Sequence, residues 1–249
     1  MSTALITGAT AGIGAAFASR LAADRFDLVL VARDASRLEE SAATLRRDRG
    51  VQVEVISADL GTDEGIARVE RRVSDGVDLL INNAGYGLPG KFLEVPVADE
   101  VAMLRVHCEA VLRLTTSALE GMVVRKRGGV INVSSVGAFV PRGTYGASKA
   151  WVISFTEGIA KDLAGTGVRV MALCPGFVHT EFHDRSKMDI SGIPEFMWLE
   201  ASELVDLALR DFRKGAVVSI PSVRYKAIVA LTKFAPRGLV GKLSTRTGR

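Results

Sequence analysis

Three residues near the middle of the chain have the types and spacing needed to move a proton. Tyr145 and Lys149 are four residues apart, so on a helix their side chains share one face. A free tyrosine has a pKa of about 10 and is a poor acid at neutral pH, but a neighbouring ammonium stabilises the phenolate. We therefore expect Lys149 to lower the pKa of Tyr145 and to make it a general acid. Ser135 precedes Tyr145 by ten residues, and its hydroxyl could hydrogen-bond the substrate oxygen that Tyr145 protonates.

A glycine-rich segment near the N-terminus has the pattern of a phosphate-binding turn. Gly8, Gly12 and Gly14 follow an apolar run and open a helical stretch, with Thr10 and Ile13 between them. The first glycine permits a tight turn, the second lets a pyrophosphate approach the backbone, and the third allows close packing of helix on strand. The helix N-terminus then favours the phosphate charge. The spacing differs from the commoner Gly-x-Gly-x2-Gly, and a plain turn is the alternative, but the position between strand and helix predicts a dinucleotide site.

The residue after the second apolar run indicates which dinucleotide binds. An acidic residue there accepts hydrogen bonds from the ribose hydroxyls of NAD, whereas a basic residue accommodates the 2′-phosphate of NADP. Here the run Leu28–Ala32 is followed by Arg33 and then by Asp34. A guanidinium suits a phosphate better than a bare ribose, so we expect NADP(H) in preference to NAD(H). Asp34 argues for NAD(H), and a solvated loop position is the alternative for Arg33.

These residues must be positioned by a sheet, because short apolar runs alternate with amphipathic stretches of helical length. Near-continuous apolar strands separated by helices predict a parallel sheet covered on both faces. We therefore predict an α/β fold: one domain with a Rossmann-type, doubly wound, seven-stranded parallel sheet. The predicted strands are Ala4–Thr7, Asp27–Ala32, Val51–Ser57, Asp78–Asn82, Gly129–Ser134, Val168–Cys174 and Ala216–Ile220, and the predicted helices include Ile13–Ala23, Ala35–Arg49 and Val97–Arg127.

Composition narrows the class of protein. With 249 residues and 48% hydrophobic residues, the chain can bury a full core. From residue 223 onward there are seven basic residues and no acidic ones, which exceeds the whole net charge of +4, so residues 1–222 are slightly acidic. This distribution argues against a nucleic-acid-binding domain. The N-terminus runs directly into the glycine-rich motif without a signal sequence, and two cysteines make neither a disulfide framework nor a zinc site; both observations favour the cytoplasm.

Taken in order, these motifs resemble the short-chain dehydrogenase/reductase family in its single-domain form with a Tyr-x3-Lys active site. The resemblance covers roughly residues 3–221 and depends on the segments Thr7–Gly14, Asp59, Asn82–Gly85, Ser134–Ser135, Tyr145–Lys149 and Pro175–Gly176. It implies that Tyr145 exchanges the proton, that Lys149 also bonds the nicotinamide ribose, and that Ser135 is the catalytic serine while Ser134 is structural.

The resemblance also implies further site residues and shows one departure. Where the family often has an Asn whose main chain holds a water, this chain has His107. We include it as a candidate catalytic residue, because imidazole titrates near neutrality; a half-buried space-filling role is the alternative. The implied cofactor contacts are Asp59 and Leu60 for the adenine, Asn83, Ala84 and Gly85 after the fourth strand, and Pro175, Gly176, Val178 and Thr180 near the nicotinamide. His179 and His183 have an i,i+4 spacing but no third ligand at the expected offset, so we predict no metal.

The C-terminal third predicts the substrate and the partners. Residues 181–199 occupy the place of the family's substrate lid and are rich in apolar side chains, which suits a hydrophobic ketone, a sterol-like ring or an acyl chain. Residues 223–249 form a basic extension to the catalytic domain 1–222, and residues 224–234 could form a helix. For this helix we favour packing on the body or on a second subunit over peripheral contact with an anionic membrane. The family usually associates through its fourth and fifth helices, which implies a homodimer or homotetramer.

The predicted function is therefore NAD(P)(H)-dependent interconversion of a carbonyl and a secondary alcohol. Two alternatives remain open. The first is a non-catalytic nucleotide sensor, which would have little need of Tyr145, Lys149 and Ser135 together. An epimerase or dehydratase with a tightly held cofactor usually carries a larger substrate domain.

Overall fold

Seven parallel strands form one sheet in the computed structural model, which describes residues 2–182 and 192–234, with side chains to residue 231. The order across the sheet is β3-β2-β1-β4-β5-β6-β7, so the winding direction reverses between β1 and β4. This reversal opens a crevice at the carboxyl ends of the strands, where such sheets bind ligands. The strands are β1 (Thr3–Thr7), β2 (Asp27–Ala32), β3 (Val53–Ser57), β4 (Leu79–Asn82), β5 (Gly128–Val133), β6 (Val168–Leu173) and β7 (Val218–Ser219). The predicted doubly wound, Rossmann-type single domain is confirmed.

Helices cover both faces of the sheet and enclose two apolar cores. One face packs α1, α2 and α7 around buried residues such as Phe17, Leu38 and Leu204. The other packs α3, α5 and part of α6 around Ile66, Leu114 and their neighbours. The helices are α1 (Gly12–Ala23), α2 (Ala35–Arg49), α3 (Asp63–Ser74), α4 (Val97–Leu104), α5 (Ala110–Val124), α6 (Gly143–Asp162), α7 (Ala201–Arg213) and α8 (Val223–Phe234).

Local signals fix where several helices begin and end. The Asp34 carboxylate accepts the Arg37 backbone N–H at 3.0 Å and caps α2, which ends at Gly50 with a φ of +67°. Thr62 caps α3 in the same way through the Gly65 N–H, and Asp63 and Glu64 complement the dipole of that first turn.

The segment Val97–Arg127 is largely helical, but the prediction of one continuous α-helix is wrong. A π-helical turn, Arg105–Glu109, separates α4 from α5. Such a turn inserts an extra residue without ending the helix, and it is common beside functional sites. Here it carries His107 into the protein interior.

The helix predicted within the basic extension is present as α8, and it packs on the body through Tyr225 and Val229, both almost fully buried. The predicted boundary between residues 222 and 223 stays a prediction, and residues 235–249 lie outside the described part. Within the described residues, no helix combines the length and hydropathy needed to cross a membrane.

Candidate active site

The carboxyl edge of the sheet gathers most of the predicted site residues. The glycine-rich turn follows β1, Asn83–Gly85 follow β4, Ser135 follows β5 and the segment 175–180 follows β6. Helix α6 begins at Gly143 and brings Tyr145 and Lys149 to the same edge. Because four parallel strands end there, residues far apart in sequence become neighbours.

The Ser135 side chain lies close enough to Tyr145 to favour the phenolate form of the tyrosine. The Ser135 Oγ also accepts the Gly137 N–H at 3.0 Å, which holds the serine at the start of a short helical turn. Burial raises the pKa of Tyr145, while the interaction with Ser135 and the charge of Arg142 act in the opposite direction. The net shift is therefore upward and not the lowering that the sequence predicts, because desolvation of the phenolate outweighs the interactions that favour it.

Lys149 is 5% exposed and lies with its Nζ 6.0 Å from the centre of the Tyr145 ring. The Nζ donates to the Val133 carbonyl at 3.0 Å, and the Lys149 carbonyl accepts the Ser134 hydroxyl at 2.7 Å. These bonds fix α6 to the end of β5. Burial lowers the pKa of Lys149 to about 8, so the ammonium is desolvated but still mostly charged at neutral pH.

His107 is fully buried between the loop after β4 and helix α6. The Tyr86 backbone N–H donates to its Nε2 at 3.2 Å, so the proton of the neutral ring must be on Nδ1. Nδ1 lies 2.9 Å from the Ser148 Oγ, and the Ser148 hydroxyl donates to the Tyr145 carbonyl at 2.8 Å. Burial, and secondarily the charge of Lys149, lower the pKa of His107 well below its usual value. The structure thus places a neutral imidazole with both nitrogens engaged; its part in a proton relay stays a prediction.

Thr7, which the sequence reasoning did not single out, ties the first and fourth strands together at this edge. Its Oγ1 accepts the backbone N–H groups of Asn83 at 3.0 Å and Ala84 at 2.9 Å. The Asn83 amide in turn donates to the carbonyls of Thr7 at 2.9 Å and Gly8 at 3.2 Å. A polar residue closing an otherwise apolar strand was the available signal.

Gly85 lies where the loop after β4 packs against His107 and helix α6. A Cβ on this residue would lie 2.9 Å from the His107 Nε2 and 3.4 Å from the Lys149 Nζ. No side chain fits there without displacing His107, which explains a glycine at the centre of the site.

The other predicted adenine-side residues lie on the surface near the ends of β2 and β3. Arg33 is exposed, and the Asp34 carboxylate beside it caps α2. Asp59 accepts the Gly61 N–H at 2.9 Å, while the Leu60 side chain is buried in the second core. Leu60 can therefore offer a ligand only its main chain.

An ion pair joins α2 to the base of the predicted lid. The two terminal nitrogens of the Arg37 guanidinium donate to the Glu181 carboxylate, Nη2 at 2.7 Å and Nη1 at 3.1 Å. The same guanidinium lies 3.4 Å from the Thr10 carbonyl in the glycine-rich turn. The pair therefore closes one side of the crevice, and it sets a cation next to the predicted phosphate site.

The segment after β6 faces the glycine-rich turn and contacts it at one point of the crevice. A Cβ on Gly12 would be 2.7 Å from the Thr180 methyl, so the two segments are in contact. The Val178 side chain is buried, and an isolated bridge pairs its backbone with Leu199 of the lid. Phe182 lies over the site, with its ring 6.2 Å from that of Tyr145. The rest of the predicted lid up to residue 191 lies outside the described residues.

In the described ranges 2–182 and 192–234, no group of three or more His, Cys, Asp or Glu residues could hold a metal. The His179 ring stacks on Trp198 at 4.7 Å and lies near Glu195, while His183 falls outside those ranges. Cys108 and Cys174 are free thiols, and burial raises the pKa of both, that of Cys174 to about 12.

Comparison with known proteins decides the family. The family model described as short chain dehydrogenase matches residues 2–190. The chain belongs to this family. Among its relatives, the putative ketoacyl reductase 1 of the granaticin polyketide synthase from Streptomyces violaceoruber is 38% identical over 202 residues, which cover 76% of this chain and 72% of that protein.

Solved short-chain dehydrogenases share the whole fold. One from Sphingobium yanoikuyae, in complex with NADPH, is 36% identical and covers 94% of both chains with a TM-score of 0.86. A bulky-bulky ketone specific alcohol dehydrogenase from Comamonas testosteroni is 32% identical, covers 94% of this chain and 93% of that one, and has a TM-score of 0.82. The protein is thus a member of an oxidoreductase family that uses a nicotinamide dinucleotide.

The glycine-rich turn of this short-chain dehydrogenase fits a dinucleotide. Gly8 and Gly12 have φ values of +66° and +54°, a region that favours glycine. A Cβ on Gly14 would lie 2.1 Å from the Gly8 carbonyl oxygen, so only glycine allows this approach of helix to turn. Ala11, the N-cap of α1, offers no side-chain acceptor to the first helical N–H groups. That combination leaves the helix N-terminus suited to a phosphate.

Proposed function

We propose that the protein is an NADP(H)-dependent oxidoreductase that interconverts a hydrophobic ketone and a secondary alcohol. The observation that carries this proposal is the grouping of Ser135 and Tyr145 with the buried Lys149 ammonium, whose Nζ lies 6.0 Å from the centre of the Tyr145 ring. These residues and the glycine-rich turn lie at the same crevice. Family membership supports the oxidoreductase class.

The roles of the residues follow from their chemistry. The bound nicotinamide supplies the hydride for reduction, or accepts it in oxidation. Tyr145 donates its phenolic proton to the carbonyl oxygen, and the Ser135 hydroxyl hydrogen-bonds the same oxygen. Lys149 stabilises the negative charge that develops on Tyr145. His107, as a neutral imidazole, orients α6 relative to the loop after β4.

The proposed dinucleotide contacts follow the same edge of the sheet. The glycine-rich turn holds the pyrophosphate, Arg33 the 2′-phosphate, and Asp59 with the Leu60 main chain the adenine. On the nicotinamide side, Lys149 bonds the ribose. The remaining proposed contacts are Asn83, Ala84, Gly85, Pro175, Gly176, Val178 and Thr180.

The preference for NADP(H) is supported by the chemistry at the end of β2. The Asp34 carboxylate, the one feature in favour of NAD(H), is engaged as the cap of α2. The exposed Arg33 guanidinium suits a phosphate, whereas Arg37 is engaged by Glu181. The Sphingobium relative is described in complex with NADPH.

A bulky hydrophobic substrate is supported by the aromatic surroundings of Tyr145. The Phe182 ring lies over it, and Phe177 and Trp198 pack together at 5.7 Å beside the segment after β6. The ketone specificity named for the Comamonas relative points to the same class. The cytoplasmic location expected from the sequence stays a prediction.

The first experiment tests the chemistry. Purified protein is assayed for NADPH oxidation with a panel of aryl and alicyclic ketones, and Tyr145→Phe is compared with wild type. We expect kcat to fall at least about 100-fold, since proton transfer from a positioned acid typically contributes that much. The dissociation constant of NADPH, from cofactor fluorescence, should change little. A Tyr145→Phe variant with wild-type kcat would contradict the assignment, and NADPH binding without turnover of any ketone by wild type would favour a sensor.

The second experiment tests the cofactor preference. Arg33→Asp should weaken NADPH binding about ten- to a hundredfold while NADH binding changes little, because one charge-assisted contact to the 2′-phosphate is lost. Arg47→Asp, on the exposed far end of α2, is the matched control for net charge. Equal loss of both cofactors, or the same loss in Arg47→Asp, would refute the role of Arg33.

A further inference from the structure

The hydroxyl of Tyr225 joins two segments that lie far from it in sequence. Tyr225 is in the first turn of α8 and is 3% exposed. Its Oη accepts the Phe177 backbone N–H at 2.9 Å and donates to the Met197 carbonyl at 2.7 Å. These partners are 48 and 28 residues away. One side chain from the basic extension therefore bonds both the segment after β6 and the short helical turn Glu195–Met197 of the lid.

The Tyr225 ring also packs directly against the backbone of Gly176. A Cβ on Gly176 would lie 2.0 to 2.5 Å from three carbons of that ring. Only a glycine at 176 allows the aromatic ring to approach so closely. The ring and the hydroxyl thus contact two consecutive residues, Gly176 and Phe177, of the segment that precedes Val178.

The neighbouring residue repeats the contact to the lid turn. The Arg224 guanidinium donates to the Phe196 carbonyl, and it lies 6.0 Å from the centre of the Phe196 ring. Arg224 and Tyr225, which are adjacent in α8, therefore bond the adjacent carbonyls of Phe196 and Met197. These two bonds fix the position of the turn along α8.

The position of this turn decides where Trp198 and Leu199 lie. The Trp198 ring contacts those of Phe177 and His179. The Leu199 backbone donates to the Phe177 carbonyl at 3.0 Å and accepts the His179 N–H at 3.1 Å. Residues 195–199, the segment after β6 and α8 therefore form one hydrogen-bonded unit beside the crevice.

We infer that Tyr225 is a positioning residue for the substrate pocket. It holds the C-terminal part of the lid, residues 195–199, at a fixed distance from the segment after β6. This sets the room left for a bulky ketone beside Tyr145. The basic extension thereby contributes to substrate binding through its first helix. The inference depends on the proposed function, which supplies the substrate class.

Tyr225→Phe tests the inference, because it keeps the ring against Gly176 and removes only the hydroxyl. We expect the KM for a bulky ketone to rise about three- to tenfold, the range that loss of one or two net hydrogen bonds gives. The kcat should stay within about twofold, because Tyr145 and Ser135 are not touched. Hydrogen exchange, read by mass spectrometry, should show loss of protection at the Phe177 amide.

Two further variants make the outcome decisive. Val223→Ala, at an 82% exposed position on the same helix, should leave KM and exchange unchanged. Arg224→Met removes the donor to the Phe196 carbonyl and should raise KM in the same direction as Tyr225→Phe. Should Tyr225→Phe fail to fold, an unchanged KM in Arg224→Met overturns the inference.

Failure of the inference is distinct from failure of the proposed function. An active wild type with an unchanged KM in Tyr225→Phe overturns the inference alone. A wild type that reduces no ketone overturns the proposed function. In that case the exchange of the Phe177 amide decides whether Tyr225 holds the segment.

Discussion

At the scale of single residues, burial decides what the catalytic side chains do. The four-residue spacing of Tyr145 and Lys149 predicts their shared face correctly, but the sign of the tyrosine pKa shift comes from desolvation. A raised pKa keeps Tyr145 protonated at neutral pH, which is the form that reduction of a ketone needs. The Lys149 ammonium pays a similar penalty, so its pKa falls towards the working range.

The Lys149 pKa of about 8 predicts a limb in the pH profile of ketone reduction. A lowered pKa means that the ammonium is present below pH 8 and is lost as the pH rises through it. We expect kcat/KM for the ketone to fall above about pH 8. Lys149→Arg should move the limb to higher pH, because a guanidinium stays charged up to about pH 12. A limb that stays in place in Lys149→Arg would assign it to another group.

At the scale of elements, a buried polar ladder fastens helices to the centre of the sheet. Asn82 and Asn132 face each other across β4 and β5. The Asn82 side-chain amide donates to the Asn132 side-chain oxygen (Oδ1) at 2.9 Å and to the Thr115 hydroxyl at 3.0 Å. The Asn132 amide donates to the Thr156 hydroxyl of α6 at 3.0 Å. This last bond secures the helix that carries Tyr145. Buried donors that lose their partners are costly.

Thr156→Val should therefore destabilise the fold by about 1–3 kcal/mol, because it leaves the Asn132 amide without its acceptor. Thr116→Val is a close control: both hydroxyls donate to the carbonyl four residues earlier, but Thr116 is exposed. We expect a cost below about 0.5 kcal/mol for the control. Urea unfolding, with the midpoint compared at equal slope, measures both. Equal costs would show that the ladder adds nothing to stability.

At the scale of the whole molecule, α4 and α5 expose several apolar side chains. Val101, Leu104 and Leu112 are 49%, 37% and 42% exposed, and the half-buried rings of Trp151 and Phe155 stack on each other on α6. Exposed apolar surface of this kind marks association sites. The family resemblance predicts a dimer or tetramer through these same helices.

Leu112→Glu should accordingly shift the protein towards the monomer. A buried unpaired carboxylate at a subunit interface is unfavourable, so light scattering after gel filtration should show a drop to the single-chain mass. Leu231→Glu, 69% exposed on α8, introduces the same charge outside these helices and should keep the wild-type mass. An oligomer that resists Leu112→Glu would place the interface elsewhere.

The sequence by itself determined the fold class and the family, and it predicted which residues form the candidate site. These depend on short-range patterns: apolar runs that alternate with helical stretches, glycines at turns, and Tyr145 and Lys149 one helical turn apart. Only the tertiary structure decided four further features. They are the raised pKa of Tyr145, the hydrogen bonds of both His107 nitrogens, the bonds by which Thr7 joins β1 to the loop after β4, and the packing of Tyr225 against Gly176. Each of these depends on desolvation or on contacts between residues tens of positions apart, and packing sets both after the chain has folded.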